Sequence, residues 1–208
     1  MITLSQLFLA LACLLGVLLL YRQPHKLNAA SKIYTRLIFV CCMFLFASTL
    51  VKLLVTGTQQ TPVLLTIVDN LQTYLAIPLL CSLFVCIRLK KHFSLAAWGR
   101  WSLVLIASFE ICRRAEIAQG YNDVLILSAC LFIAVSVLYK GNSNLAINFA
   151  IKLLAVGSFI SAMLIFSPNN LLTLYANSPL FNITLGIAVG SLCYVFGKQL
   201  GHQSDASH

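Results

Sequence analysis

Apolar residues in this chain fall in seven long stretches separated by short polar connections. A hydrocarbon core ~30 Å thick takes roughly 20 helical residues to cross, and only elements that satisfy their own backbone hydrogen bonds persist inside it. The stretches, residues 2–21, 37–56, 63–88, 95–117, 124–139, 145–166 and 171–196, therefore predict an all-α polytopic membrane bundle of seven transmembrane helices, with residues 1–208 forming one integral membrane domain.

The connections predict the orientation. Arg22, Lys26, Lys32 and Arg36 flank the first; Arg88, Lys90, Lys91 and Arg100 flank the third; Lys140 lies in the fifth and Lys198 begins the tail. The second and sixth hold no Lys or Arg. Because basic residues gather on the cytoplasmic side, the N-terminus is expected outside and the tail, Gly201 to His208, in the cytoplasm, with a bacterial inner (plasma) membrane as the setting. The first stretch is read as a retained span rather than a signal peptide, since its positive charges follow the apolar run. Turn-forming residues mark the breaks: Pro24, Gly57 with Pro62, Gly120 with Asn122, Gly141 with Asn142, and Pro168-Asn169-Asn170. Pro78 lies inside span three, where the hydrogen bond to the Tyr74 carbonyl is lost and a kink is expected. Pro179 falls near the start of span seven.

Composition narrows the choice of chemistry. Sixty per cent of residues are hydrophobic and 9% charged, with a mean hydropathy of +0.93. The net charge of +9 resides largely in turns beside the spans, where it orients the chain and meets anionic lipid headgroups, so membrane lipids are expected partners and nucleic acid is not. The eight cysteines lack a CxxC or a nearby histidine, and are expected to pack as compact apolar groups. His25, His92, His202 and His208 all lie in loops or the tail, which argues against intramembrane haem or zinc; no metal and no cofactor are expected. Ser158 and Ser191 follow glycines but lack a histidine partner, and are expected to be small packing residues. Trp98 and Trp101 suit an interfacial aromatic belt. Gly186 and Gly190 form a GxxxG strip suited to a close helix–helix contact within the chain or between subunits.

The sharpest signal is the set of ionisable residues inside apolar spans, each costing ~3 kcal/mol at a helix centre unless it faces water or a partner. These are Lys52, Asp69, Glu110, Arg113, Arg114 and Lys152, with Lys152 expected near the midplane, on its cytoplasmic side. Span three adds polar neighbours at helical spacing: Gln72 one turn from Asp69, and Tyr74 one turn from Asn70. Glu110 precedes Arg113 and Arg114 in the favourable order for helical ion pairs, and Glu116 follows Arg113 by one turn. Ser48 and Thr49 share the face of Lys52. Together, Lys52, Asp69, Asn70, Gln72, Tyr74, Glu110, Arg113, Arg114 and Lys152 are the candidate ligand-binding residues, and no residue is assigned a catalytic role.

The surplus of cations predicts an outward-facing polar cavity that binds an anionic solute or a lipid headgroup, with the planar forks of Arg113 and Arg114 suited to a phosphate or carboxylate. A carrier or channel is the leading expectation. Self-contained pairing of Lys52 with Asp69 and of Glu110 with its arginines is the competing structural account. A non-catalytic membrane subunit of a larger complex is the alternative function, and an acid–base lipid hydrolase using Asp69 and Glu110 is a third; the absence of a known catalytic motif makes an enzyme the lesser expectation.

Overall fold

The structure, a computed structural model, describes residues 2–21, 29–55, 62–89, 91, 93–138, 147–167 and 177–205. Of the expected turns, those at Pro24, Gly57, Gly141 with Asn142, and Pro168-Asn169-Asn170 lie outside the described residues, as do His25, His92, His208 and Lys140.

Among the described residues seven helices are long and apolar enough to cross a membrane. In chain order they are α1 (Ile2–Tyr21), α2 (Ala29–Val55), the composite α3 (Pro62–Leu71), π turn (Gln72–Ala76) and α4 (Ile77–Arg88), then α5 (Leu95–Arg114), α6 (Ala118–Leu138), α7 (Ile147–Ile160) extended by a second π turn (Ser161–Phe166), and α8 (Ser178–Asp205). No strand occurs among the described residues.

Local signals explain the boundaries. The Ser94 side chain accepts a hydrogen bond from the Ala97 N–H at 3.3 Å and starts α5, as an N-cap should. Asn177 Oδ1 does the same for the Leu180 N–H at 3.3 Å, and Pro179 sits in the first turn of α8, where its missing N–H costs nothing. That capping signal starts α8 at Ser178, and the same helix runs through the expected tail as far as Asp205; Leu171, the expected start of span seven, lies outside the described residues.

The fourth connection departs most from expectation. Gly120 and Asn122 read as a turn, yet both lie within α6, and the reversal occupies Ala115–Ile117. The Ile117 N–H reaches the Cys112 carbonyl at 3.0 Å and the Glu116 N–H the Arg113 carbonyl at 3.3 Å, the paired bonds of a Schellman turn. Glu116 takes the left-handed position with φ 60°, where glycine is usual.

At Pro78 the expected distortion takes a specific form. The Ile77 N–H bonds the Gln72 carbonyl, closing a π turn immediately ahead of the proline. The wider turn relieves the clash between the proline ring and the preceding carbonyls, so the irregularity is held by its own hydrogen bond.

Around the bundle α1 packs on α2 and α8, α8 on α7, α7 on α6, α6 on α4, and α4 on α2. Phe84 of α4 and Phe196 of α8 stack across the interior at 3.8 Å with planes 4° apart, within a buried core that also includes Leu9, Ile38, Leu83, Ile133, Phe159 and Leu192. Cys13, Cys41, Cys42, Cys81, Cys130 and Cys193 are buried in the same core, as their compact apolar character predicts. Ser158 and Ser191 hydrogen-bond carbonyls of the preceding turn in their own helices. Helix α5 is peripheral, burying only Trp98 and Leu105.

Contacts between ends define the bundle's polarity. Asn182 near the start of α8 reaches Ser5 near the start of α1, so these two helices run parallel; Lys52 near the end of α2 meets Asp69 of α3, so those run antiparallel. The amino end of the bundle therefore gathers the beginnings of α1, α3, α6 and α8 and the ends of α2 and α5. Most buried polar side chains, Ser5, Gln6, Ser48, Thr49, Gln72, Asn122 and Asn182, lie toward this end.

Candidate functional site

Two polar assemblies occupy the amino end, on different faces of the α3–π segment. In the first, Lys52 Nζ lies 2.5 Å from Asp69 Oδ1 and donates to Gln72 Oε1 at 3.0 Å. Gln72 Oε1 also accepts from the Ser48 hydroxyl at 3.1 Å. Ser48 and Thr49 each donate to the Leu45 carbonyl as well, which ties the assembly to the α2 backbone. The lysine ammonium thus has one ionic and one amide partner where α2 leaves the core, a geometry that lowers the cost of placing it there.

The second assembly belongs to the last turn of α5. Arg113 grips Glu110 in a fork, Nε to Oε2 at 2.9 Å and Nη2 to Oε1 at 2.8 Å. Arg114 Nε adds a bond to Oε1 at 3.0 Å. Two guanidinium groups share one carboxylate, so the cluster keeps a net positive charge. Its side chains are accessible, 37% for Glu110, 59% for Arg113 and 79% for Arg114. Arg113 and Arg114 are therefore at the helix end rather than well inside the span, because α5 stops at Arg114 where Ile117 was expected. Among the described residues Glu116 has no ion pair with Arg113; the helix ends before it.

Beside the second assembly a cleft of about 500 Å³ opens along α3 and α5, lined by Val63, Thr66, Ile67, Asn70, Leu71, Glu110 and Arg113. Its walls are mainly apolar, and its polar groups are Thr66, Asn70, Glu110 and Arg113. The structure thus brings Asn70, Glu110 and Arg113 into one cleft, with Arg114 bound to its rim through Glu110. It groups Lys52, Asp69 and Gln72 separately. Tyr74, buried, stacks on Phe109 of α5 at 3.9 Å and faces Tyr121 of α6 at 6.1 Å, holding α5 against the π turn. Lys152 lines neither assembly. It lies in the first half of α7 and is half-buried.

Thr66, Phe109 and Tyr121 are participants that sequence reasoning passed over. Thr66 is one turn before Asn70 and was legible from helical spacing. Phe109 is apolar and Tyr121 fell in an expected loop, so neither carried a signal. Among the described residues no three His, Cys, Asp or Glu side chains are arranged to hold a metal ion.

Gly186 approaches α1 closely: a Cβ there would lie 3.1 Å from the Phe8 ring and 3.3 Å from the Ala12 Cβ, while one at Gly190 would meet nothing within 4 Å. The reciprocal close approach is at Gly16, where a Cβ would lie 3.1 Å from Cys193 Sγ.

Fold and site together define a multi-span helical membrane protein. No family model matches the sequence, and no curated protein and no solved structure matches it either.

Proposed function

We propose that the chain is a carrier for an anionic amphiphile, whose phosphate or carboxylate meets the Arg113–Arg114 pair while its apolar part lies along Val63, Ile67 and Leu71. The observation that carries this reading is the composition of the α3–α5 cleft: a mostly apolar groove with a surplus guanidinium charge at one end. Arg113 gives most of its fork to Glu110, so an incoming anion would compete with that carboxylate or take the outer nitrogens of Arg114. With the N-terminus outside, as the basic connections suggest, the cleft faces the outer leaflet.

The test uses purified protein in phosphatidylcholine liposomes carrying trace NBD-labelled phosphatidylglycerol, with dithionite bleaching reporting movement between leaflets. Wild-type protein should accelerate movement of the anionic probe over the NBD-labelled phosphatidylcholine control, and Arg113→Gln and Arg114→Gln should each reduce it. Equal rates for both probes, or full activity in both variants, would reject the carrier reading. The accessory-subunit reading draws on a different observation, the nearly uncovered face of α5, and predicts recovery of one constant larger partner in mild detergent. The hydrolase reading is weaker, because Asp69 and Glu110 are held in separate ion pairs rather than facing each other.

A further inference from the structure

A second groove lies at the opposite end of the bundle, remote from the cleft of the proposed carrier. It has a volume of about 340 Å³ and is lined by Ser82, Cys86, Phe93, Ala97, Trp98 and Trp101, from α4, the connection and α5. Its lining is almost wholly apolar. Trp98, expected in an interfacial aromatic belt, is 4% exposed and is set edge-on between Tyr34 at 6.3 Å and Phe93 at 6.2 Å. Trp101 Nε1 donates to Ser82 Oγ at 3.2 Å, so that pair is satisfied within the wall. The Trp98 indole N–H is sealed and has no acceptor among the described residues. A donor left without an acceptor in apolar surroundings is costly.

Two exposed basic residues, Lys91 and Arg100, lie close to the groove-lining residues in sequence. The Lys91 N–H bonds the carbonyl of Cys86, itself in the groove wall, at 3.1 Å, and the Tyr34 hydroxyl of α2 donates to the Lys91 carbonyl. These two anchors hold the backbone of exposed Lys91 beside the groove wall. Arg100, also exposed, precedes Trp101 on α5, and its neighbour Gly99 leaves open space beside it.

We infer that this α4–α5 groove is a binding site for an anionic phospholipid, with an acyl chain against Phe93, Trp98 and Trp101 and the headgroup phosphate at Lys91 and Arg100. An apolar slot alone would accept any lipid. The two cations make it selective, since basic side chains at a membrane surface attract anionic headgroups.

The chain's two tryptophans both line the groove, so intrinsic fluorescence reports its occupancy directly. The full chain is reconstituted into phosphatidylcholine vesicles containing increasing fractions of dibrominated phosphatidylglycerol or, in parallel, dibrominated phosphatidylcholine. Quenching by the anionic lipid should saturate at lower mole fraction, corresponding to about a three- to fivefold preference. The preference should fall close to unity in Lys91→Gln/Arg100→Gln, whose exposed sites leave the fold intact, and should shrink in high salt. Trp98→Phe and Trp101→Phe, each leaving one reporter, should both retain it. Superimposable curves for the two lipids, a preference that survives the double substitution, or no quenching by either lipid would each overturn the inference.

Discussion

The parallel packing of α1 on α8 makes a sharp quantitative claim, because two glycines of one GxxxG strip stand in different surroundings. Replacing either Gly186 or Gly190 with alanine gives the same gain in helix propensity, about 1 kcal/mol, so the difference between them isolates packing. At Gly190 the new methyl meets nothing within 4 Å; at Gly186 it lies 3.1 Å from the Phe8 ring and 3.3 Å from the Ala12 Cβ. The Phe8 ring is partly exposed and can rotate away, but the Ala12 methyl moves only with the α1 backbone. Overpacking of this kind costs about 1–3 kcal/mol, and the mobile ring places the expected difference toward the lower end, near ~1.5 kcal/mol. Unfolding of purified protein, titrated with SDS in a fixed mild detergent, measures it: Gly190→Ala should equal or exceed wild type, and Gly186→Ala should fall below Gly190→Ala. The reciprocal site adds a cycle. Gly16→Ala presses on Cys193 Sγ at 3.1 Å, whereas Cys193→Ala removes that sulfur and opens a small void costing about 1 kcal/mol. The double variant should be more stable than the sum of the two losses by roughly 0.5–2 kcal/mol. Strict additivity, together with equal stability of Gly186→Ala and Gly190→Ala, would refute the close parallel approach of the two helices.

Further expectations concern the amino end. Asp69→Asn removes the ionic partner of Lys52 and should cost about 1–2 kcal/mol, between the values for exposed and buried pairs; Lys52→Met/Asp69→Asn should recover part of that loss in the same unfolding assay. Pro78→Ala should change stability by less than about 1 kcal/mol, well below the ~3 kcal/mol of a proline inside a regular helix, because the π turn already accommodates the ring; a large stabilisation would show that it does not. Glu116→Gly should raise the melting temperature, since glycine removes the roughly 1–2 kcal/mol cost of a left-handed L-residue, and Glu116→Val should lower it.

How far the chain could be read in advance depended on whether a feature was local. Seven crossings follow from hydropathy over windows of bilayer length. The Lys52–Asp69 and Glu110–Arg113–Arg114 pairs follow from charge cost and helical spacing, and were foreseen as the self-contained alternative to a ligand site. The fourth connection misled because Gly120 and Asn122 carry the composition of a turn, whereas the actual reversal places Glu116 at φ 60° without a glycine. Helical spacing does separate Asn70 and Tyr74, which turn toward α5, from Asp69 and Gln72, which turn to Lys52; which helix each side meets depends on packing and is not written in the spacing. Pro78 hinted at irregularity but not at its form. The Tyr74–Phe109–Tyr121 stack joins three helices and depends on their packing, so no local pattern announces it.

The placement of charge constrains how a ligand could travel. The paired ions at Lys52, Asp69, Glu110, Arg113 and Arg114 lie toward one end of the bundle, and Lys152 lies in the first half of α7, toward the other. Between them the axis is closed by the Phe84–Phe196 stack at 3.8 Å and by aliphatic and thiol side chains from α1, α2, α4, α6, α7 and α8. Hydrating that region would separate close-packed apolar surface, at about 25 cal/mol for each Å² re-exposed. The α3–α5 cleft avoids this cost because α5 is peripheral and contributes little to the core. On the carrier reading, a polar head would therefore travel along the lateral surface between α3 and α5 while its apolar part stayed in lipid. The π turn stands where such movement needs compliance: it carries Gln72, tied to Lys52, and Tyr74, stacked on α5, so a shift of α5 is felt in the Lys52–Asp69 assembly without opening the core.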